Sequence, residues 1–212
     1  MTRLAQQPWL TSAAFRSVLA ALASAGATPR FVGGCVRDAL LGRASTDLDI
    51  AIDQAPEDSM RLLEAAGIKV IPTGLKHGTI TALAAGQHFE ITTLRVDVET
   101  FGRHAKVAFT DDWQRDAARR DFTINAIYAD MDGQLYDPTG GQADLDAGRV
   151  RFVGDAAQRI DEDKLRILRF FRFLALFGRG EPDGDALAAC TAAAPGLAGL
   201  SRARVRDDTF TL

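Results

Sequence analysis

Histidine and cysteine are scarce in this sequence: 212 residues hold three of the first and two of the second. Cys35 and Cys190 make no disulfide framework, and with three scattered histidines they make no zinc site. There is no HD dyad and no HExxH spacing, so neither a histidine-type phosphohydrolase nor a zincin is indicated. The glycines never fall into GxGxxG, which excludes a dinucleotide-binding turn. No apolar run reaches the ~20 residues that span a bilayer. Residues 1–15, MTRLAQQPWLTSAAF, lack a signal-peptide core. A reducing cytoplasm is the expected compartment, with no membrane partner. A basic excess is lacking too: 25 Lys and Arg stand against 28 Asp and Glu, a net charge of -3. That argues against a bulk basic nucleic-acid binder. Bases outnumber acids between residues 159 and 206, so any RNA contact is expected there.

What the chain has is concentrated in residues 31–53, FVGGCVRDALLGRASTDLDIAID. A Gly-Gly turn opens a short helix, and Asp47 and Asp49 then alternate with Leu48 and Ile50. Side chains at i and i+2 of a strand share a face. A strand over residues 46–53 would therefore present both carboxylates together while Leu48 and Ile50 enter a core. Two hard oxygen donors at this spacing suit Mg²⁺, which keeps waters and takes one or two carboxylates plus substrate phosphates. Gly33 and Gly34 allow close backbone approach. The helix behind them offers free N–H groups and a positive dipole end to a phosphate, and Arg37 adds a cation one turn in. A phosphate cradle beside metal carboxylates is the pattern of nucleotidyl transfer. A lone GG is usually a turn and a lone DxD a solvated strand edge; their succession in one segment carries the reading. Glu90, between Phe89 and Ile91 in FEITTLR, is the candidate third carboxylate, with an exposed strand glutamate as the plain alternative.

Two further constellations follow. In Arg119-Arg120-Asp121-Phe122-Thr123-Ile124-Asn125, Arg120 offers a planar fork to a phosphate or base, and Asp121 and Asn125 offer bonds to ribose hydroxyls. A charged helix cap is the plain alternative. Downstream, EDKLRILRFFR places Asp163 and Arg166 three apart, neighbours on one helix edge. An acceptor beside a donor fork matches cytosine and adenine, which carry an exocyclic amine next to a ring-nitrogen acceptor. Uracil and guanine would leave a carbonyl facing Asp163, at roughly 1–3 kcal/mol for an unpaired buried group. Arg169 and Arg172 continue the helix as phosphate or RNA contacts; a core helix with solvated arginines is the plain alternative.

Periodicity predicts helices at 11–25, 56–66, 112–118, 161–177, 185–194 and 201–212, and strands at 30–32, 68–71, 79–84 and 88–95. Residues 97–111 read as a mobile loop, and 124–131 and 134–136 as a hairpin around Asp132-Gly133. The turn-rich stretch 137–148 reads as the boundary between a head, 1–140, and an all-α neck, 141–212. The expected class is α+β: a mixed sheet flanked by helices, then helices alone.

GGCVRDALLG with DLD, RRDFTINAIY, DPTGGQADL and EDKLRILRFFRF, in that order, resemble the class II tRNA nucleotidyltransferase / bacterial poly(A) polymerase family, and its CCA-adding members most. The resemblance covers roughly residues 30–177. It implies a nucleotidyltransferase head carrying Asp47 and Asp49, a neck carrying Asp163 and Arg166, Mg²⁺, CTP and ATP as substrates, and the tRNA 3′ end as acceptor. By position it makes Gly34, Arg37, Arg120, Asp163, Arg166, Arg169 and Arg172 nucleotide-binding residues. Residues 97–111 resemble the head loop linked to the switch from C to A addition. TGLKHGTIT resembles the CCA-adding form of its segment rather than the GRRFRL-like stretch of poly(A) polymerases. Family members continue into helical body and tail domains, so a separate body-domain partner or a homo-oligomer is expected. GLSRARVRDD resembles an LSxER-type motif with Ala203 in place of the glutamate. Poly(A) addition and a non-catalytic nucleotide- or RNA-binding remnant are the alternatives.

Overall fold

A computed structural model describes residues 4, 7–45, 47–101 and 104–210. Helix α1 (Ala13–Ala23) starts where the Ser12 hydroxyl accepts the Phe15 amide at 3.2 Å. It buries Phe15, Val18, Leu19 and Leu22. Strand β1 (Arg30–Val32) leads through Gly33 into α2 (Gly34–Leu40), and β2 (Asp49–Ile52) into α3 (Pro56–Ala65), which has Pro56 at its start. Strands β3 (Lys69–Gly74), β4 (Thr79–Ala84) and β5 (Gln87–Thr93) form a meander. After β6 (Arg95–Phe101), β7 (His104–Phe109) and α4 (Trp113–Ala118) come two short strands, β8 (Tyr128–Ala129) and β9 (Leu135–Tyr136). The remainder is helical: α5 (Gly141–Ala147), α6 (Ala156–Glu162), α7 (Leu165–Phe177), α8 (Gly184–Ala193) and α9 (Arg202–Phe210).

Seven strands pair in the order β3-β4-β5-β2-β1-β8-β9. The β2/β5 pair is parallel and the other pairs antiparallel, which gives the mixed sheet the sequence predicts. Phe15, Phe31 and Phe89 lie fully buried between this sheet and α1, with Phe15 stacked on Phe31 at 4.5 Å. Phe122, Phe152 and Phe170 continue the core into the helices. Burial of these rings is the main drive for docking α7 on the sheet domain, at about 25 cal/mol per Å² of apolar surface. Among the described residues, no helix is long and apolar enough to cross a membrane.

Four expectations are corrected. Residues 97–111 are not a loop over their described part: β6 and β7 pair as a separate antiparallel ribbon, with a bulge between Asp97 and Glu99. Its sequence mixes β-branched residues with charge, and Val98 and Phe109 stay exposed at 56% and 44%, so among its described side chains no buried face marks it as strand. The strand expected at 46–53 begins only at Asp49; Asp47 precedes it, and Thr46 lies outside the described residues. Residues 124–127 are not strand either, since a 3₁₀ turn (Thr123–Asn125) precedes the two-residue β8. The predicted turn does form, with the Asp130 carboxylate accepting the amides of Asp132 and Gln134. Finally, the helix expected at 161–177 breaks at Asp163, whose backbone is extended (φ -152°, ψ 111°). Its side chain accepts the Leu165 amide at 3.0 Å and starts α7 anew.

Candidate active site

The carboxylates meet where β2 runs parallel to β5. Asp49 is in register with Glu90, and their neighbours Ile50 and Ile91 are buried beneath them. Asp47, Asp49 and Glu90 line one cleft of about 850 Å³, with Trp9, Thr81 and His88 along its walls. Asp49 is open to this cleft along one edge. Desolvation by the surrounding protein, then the charge of Glu90 and that of Asp47, push its carboxyl up to about 6, while Arg120 pulls it down. Asp47 and Asp49 thus share the cleft without sharing a regular strand. Among the described residues, no three His, Cys, Asp or Glu side chains close into a metal cage.

Gly33 brings the second half of the site against the first. Its φ of +79° is a conformation L side chains rarely adopt. A Cβ built there would lie 4.0 Å from Asp49 Oδ2, 3.9 Å from Arg120 Nη1 and 3.9 Å from the Asn125 carbonyl. The bare backbone at Gly33 therefore faces both a carboxylate and a guanidinium. Helix α2 behind it is one of the shorter helices, with seven residues. Beside Gly34, Arg37 is turned onto Asp38 by two bonds of 3.0 Å, donates to Asn125 Oδ1 at 2.6 Å, and stacks over Phe177 at 4.2 Å.

Arg120 is locked from behind. Its Nε and Nη2 donate to Asp116 Oδ2 at 3.3 and 3.1 Å, and Nε also reaches the Tyr128 hydroxyl at 3.1 Å. Tyr128 in turn donates to Asp116 Oδ2 at 2.8 Å, and Arg119 holds the other oxygen at 2.8 Å. Burial alone would raise the Asp116 carboxyl; Arg120 and Arg119 outweigh it and hold it below the usual range. Sequence reading missed both Asp116 and Tyr128. The signal was there in part: Asp116 stands three and four residues before two arginines on one helix end.

Asp121 and Asn125 join the sheet domain to α7. Asn125 Nδ2 donates to Asp121 Oδ1 at 3.1 Å, while Arg169 grips Asp121 Oδ2 through Nε and Nη2 at 2.9 and 2.6 Å. Arg37, Asn125, Asp121 and Arg169 thus form one continuous chain of bonds. Arg172 lies further along α7, over the Phe173 ring at 5.6 Å.

Asp163 and Arg166 are close in sequence but flank the helix break instead of sharing one helix edge. Asp163 Oδ2 accepts Arg204 Nη2 at 2.7 Å, from α9. Arg166 Nη1 donates to Glu162 Oε2 and, at 2.7 Å, to the Arg159 carbonyl. Each functional group is held in place by a partner other than its neighbour. A carboxylate has about four lone-pair positions, so Asp163 keeps acceptor capacity beyond its bonds to Arg204 and Leu165.

Residues 29–151 match the family model described as Poly A polymerase head domain. The chain is 50% identical over 182 residues to the CCA tRNA nucleotidyltransferase 1, mitochondrial, of Danio rerio, covering 83% of this chain and 42% of that protein. It is 43% identical over 150 residues to the CCA-adding enzyme of Bacillus pumilus, covering 70% and 36%. The Bacillus stearothermophilus CCA-adding enzyme in complex with CTP superposes with a TM-score of 0.78 at 36% identity, over 90% of this chain and 46% of that one. The chain spans less than half the length of these relatives.

Proposed function

This chain belongs to the Poly A polymerase head domain family, and from that premise we propose that it is a CCA-adding tRNA nucleotidyltransferase. The observation that carries the proposal is the meeting of Asp47, Asp49 and Glu90 in one cleft, with the Gly33 backbone set between Asp49 and Arg120. CTP and ATP are the nucleotides and a tRNA 3′ end is the acceptor. The sheet domain, 1–140, performs the transfer and the helical neck, 141–212, selects the base. Both cysteines are free and buried, which suits a reducing compartment such as the cytoplasm.

The donor set suits Mg²⁺. Asp47 and Asp49 are hard oxygen donors; desolvation, then the charges of Glu90 and Asp47, raises Asp49, and a divalent cation would offset that cost of holding the carboxylate charged. An open pair of carboxylates is what Mg²⁺ takes when substrate phosphates complete its shell. When bound it would neutralise triphosphate charge and make the attacking hydroxyl more acidic. The chain's own residues do the rest. Gly33 lets the triphosphate approach the backbone, and Arg120 Nη1 faces it. The acceptor's 3′-hydroxyl gives up its proton to water as its oxygen bonds to the α-phosphorus, the bond from that phosphorus to the bridging oxygen of the β-phosphate breaks, and pyrophosphate leaves with that oxygen. Asp163 accepts the exocyclic amine of cytosine or adenine and Arg166 donates to the adjoining ring nitrogen, so both bases fit without a nucleic-acid template.

The test is single-turnover incorporation of labelled CTP and ATP, separately and together, on an acceptor minihelix ending at the discriminator base. CMP addition followed by one AMP is the expected product. AMP tails alone would reassign the chain to poly(A) addition. Nucleotide binding without incorporation would make it a non-catalytic remnant.

A further inference from the structure

The proposed reading gives Arg120 the task of facing the nucleotide, and the structure around it is built to fix how it does so. A guanidinium has five N–H donors in a rigid fork. Here Nε and Nη2 are both turned inward, to Asp116 and Tyr128, which leaves Nη1 as the atom of the fork set against Gly33, whose other side meets Asp49. Asp116 alone would hold the charge but not the tilt of the fork, because one carboxylate oxygen receives both bonds. The Tyr128 hydroxyl supplies the second point. It accepts from Arg120 Nε and donates to the same Asp116 oxygen, closing a three-membered ring of bonds. Tyr128 is itself fixed: its side chain is fully buried, Trp113 meets it edge-on at 5.2 Å, and Val32 pairs with it across β1 and β8. Val32 is the residue before Gly33. The strand pair that holds the hydroxyl therefore also holds the loop the free edge faces.

The geometry points to Tyr128 as a positioning residue for nucleotide binding: its hydroxyl sets the angle at which Arg120 presents Nη1 beside Gly33 and Asp49. The inference rests on the proposed nucleotidyltransferase reading. Burial pushes the phenol's ionisation upward, so the hydroxyl keeps the proton it donates to Asp116. A phenylalanine keeps the ring packing and removes this single point of contact.

The test is a double-mutant cycle on the full chain. KM for CTP and single-turnover kcat are measured for wild type, Tyr128→Phe, Arg120→Lys and the double variant, with thermal melts alongside. A lysine has no fork to orient. Tyr128→Phe is expected to raise KM for CTP about tenfold in the wild-type background, the worth of the bond that orients Arg120. In the Arg120→Lys background it is expected to leave KM unchanged within about twofold. KM does not depend on the folded fraction, so a partly unfolded variant still reports. Equal effects in both backgrounds would overturn the inference. So would a lower melting temperature with KM unchanged, since the hydroxyl would then serve stability alone. If the wild type itself incorporates nothing, the reading of function fails and takes this role with it; incorporation with an additive cycle removes the positioning role alone.

Discussion

Replacing Asp121 with asparagine tests how the sheet domain is fastened to α7. The carboxylate accepts four bonds: Phe122 N at 2.8 Å, Asn125 Nδ2 at 3.1 Å, and Arg169 Nε and Nη2 at 2.9 and 2.6 Å. Asparagine keeps the shape, but its amide turns a donor either toward Arg169 or toward Phe122 and Asn125. Breaking a buried ion pair costs about 3–5 kcal/mol by leaving one charge uncompensated. Arg169 keeps 31% of its side chain exposed, so water takes up part of that charge and about 2–3 kcal/mol is expected. For a chain of this size that is roughly 5–10 °C in melting midpoint. The effect has a pH signature. Burial alone would raise the Asp121 carboxyl, but Arg169, then Asn125 and the Phe122 amide, hold it below the usual carboxylate range. The folded chain therefore binds this proton more weakly than the unfolded one. Stability from the group is complete above the unfolded value of about 3.9 and is lost as pH falls toward the folded value. Circular-dichroism melts at pH 7, 5, 4 and 3 should show the gap between wild type and variant shrinking below about pH 4. A variant with the wild-type midpoint at pH 7, or a gap constant with pH, would refute the role of this pair.

Other consequences are simpler to read. Gly141→Ala would place a Cβ 2.1 Å from the Thr123 carbonyl oxygen, which is backbone and cannot turn aside; a melting loss of about 1–3 kcal/mol or more is expected, and a wild-type melt would mean α5 is not seated there. Burial pushes the Cys35 thiol up to about 12 and the Cys190 thiol up to about 11, so a thiol reagent at pH 8 should label neither in the folded chain and both in denaturant. Fast labelling of the folded chain would contradict their packing. Arg204→Ala removes the partner of Asp163 Oδ2 and should lower discrimination of CTP over UTP about tenfold, the worth of one hydrogen bond to a charged group. Unchanged discrimination would show that the Leu165 amide alone fixes Asp163.

The elements legible in the sequence were those with one buried face. Residues 79–84 and the core of 88–95 alternate, and they form β4 and β5; Glu90 between Phe89 and Ile91 falls in register with Asp49 for the same reason. In the β6/β7 ribbon Val96 and Val98 alternate with charge, but among its described side chains none is buried, so the alternation did not mark a core face. The break at Asp163 was hidden because the apolar spacing of α7 runs smoothly past it; an aspartate that caps a helix and one that sits inside it look alike until the Leu165 amide is seen bonded to it. Asp47 came before the strand because periodicity places neighbours on a face but does not say where hydrogen bonding to β5 begins. Asp116 and Tyr128 meet Arg120 from behind, and a residue that bears on a site through another residue's orientation carries no motif of its own.

The central claim is that the Asp47, Asp49 and Glu90 cleft carries nucleotidyl transfer. The direct measurement is single-turnover CMP incorporation by wild type and Asp49→Ala on the acceptor minihelix with Mg²⁺, with CTP binding measured on the same preparations. Loss of a carboxylate that would hold the Mg²⁺ neutralising the transition state is worth several kcal/mol, so incorporation should fall about 10³-fold or more while CTP affinity changes only a few-fold. Incorporation at the wild-type rate would contradict the account and move the chemistry elsewhere on the chain.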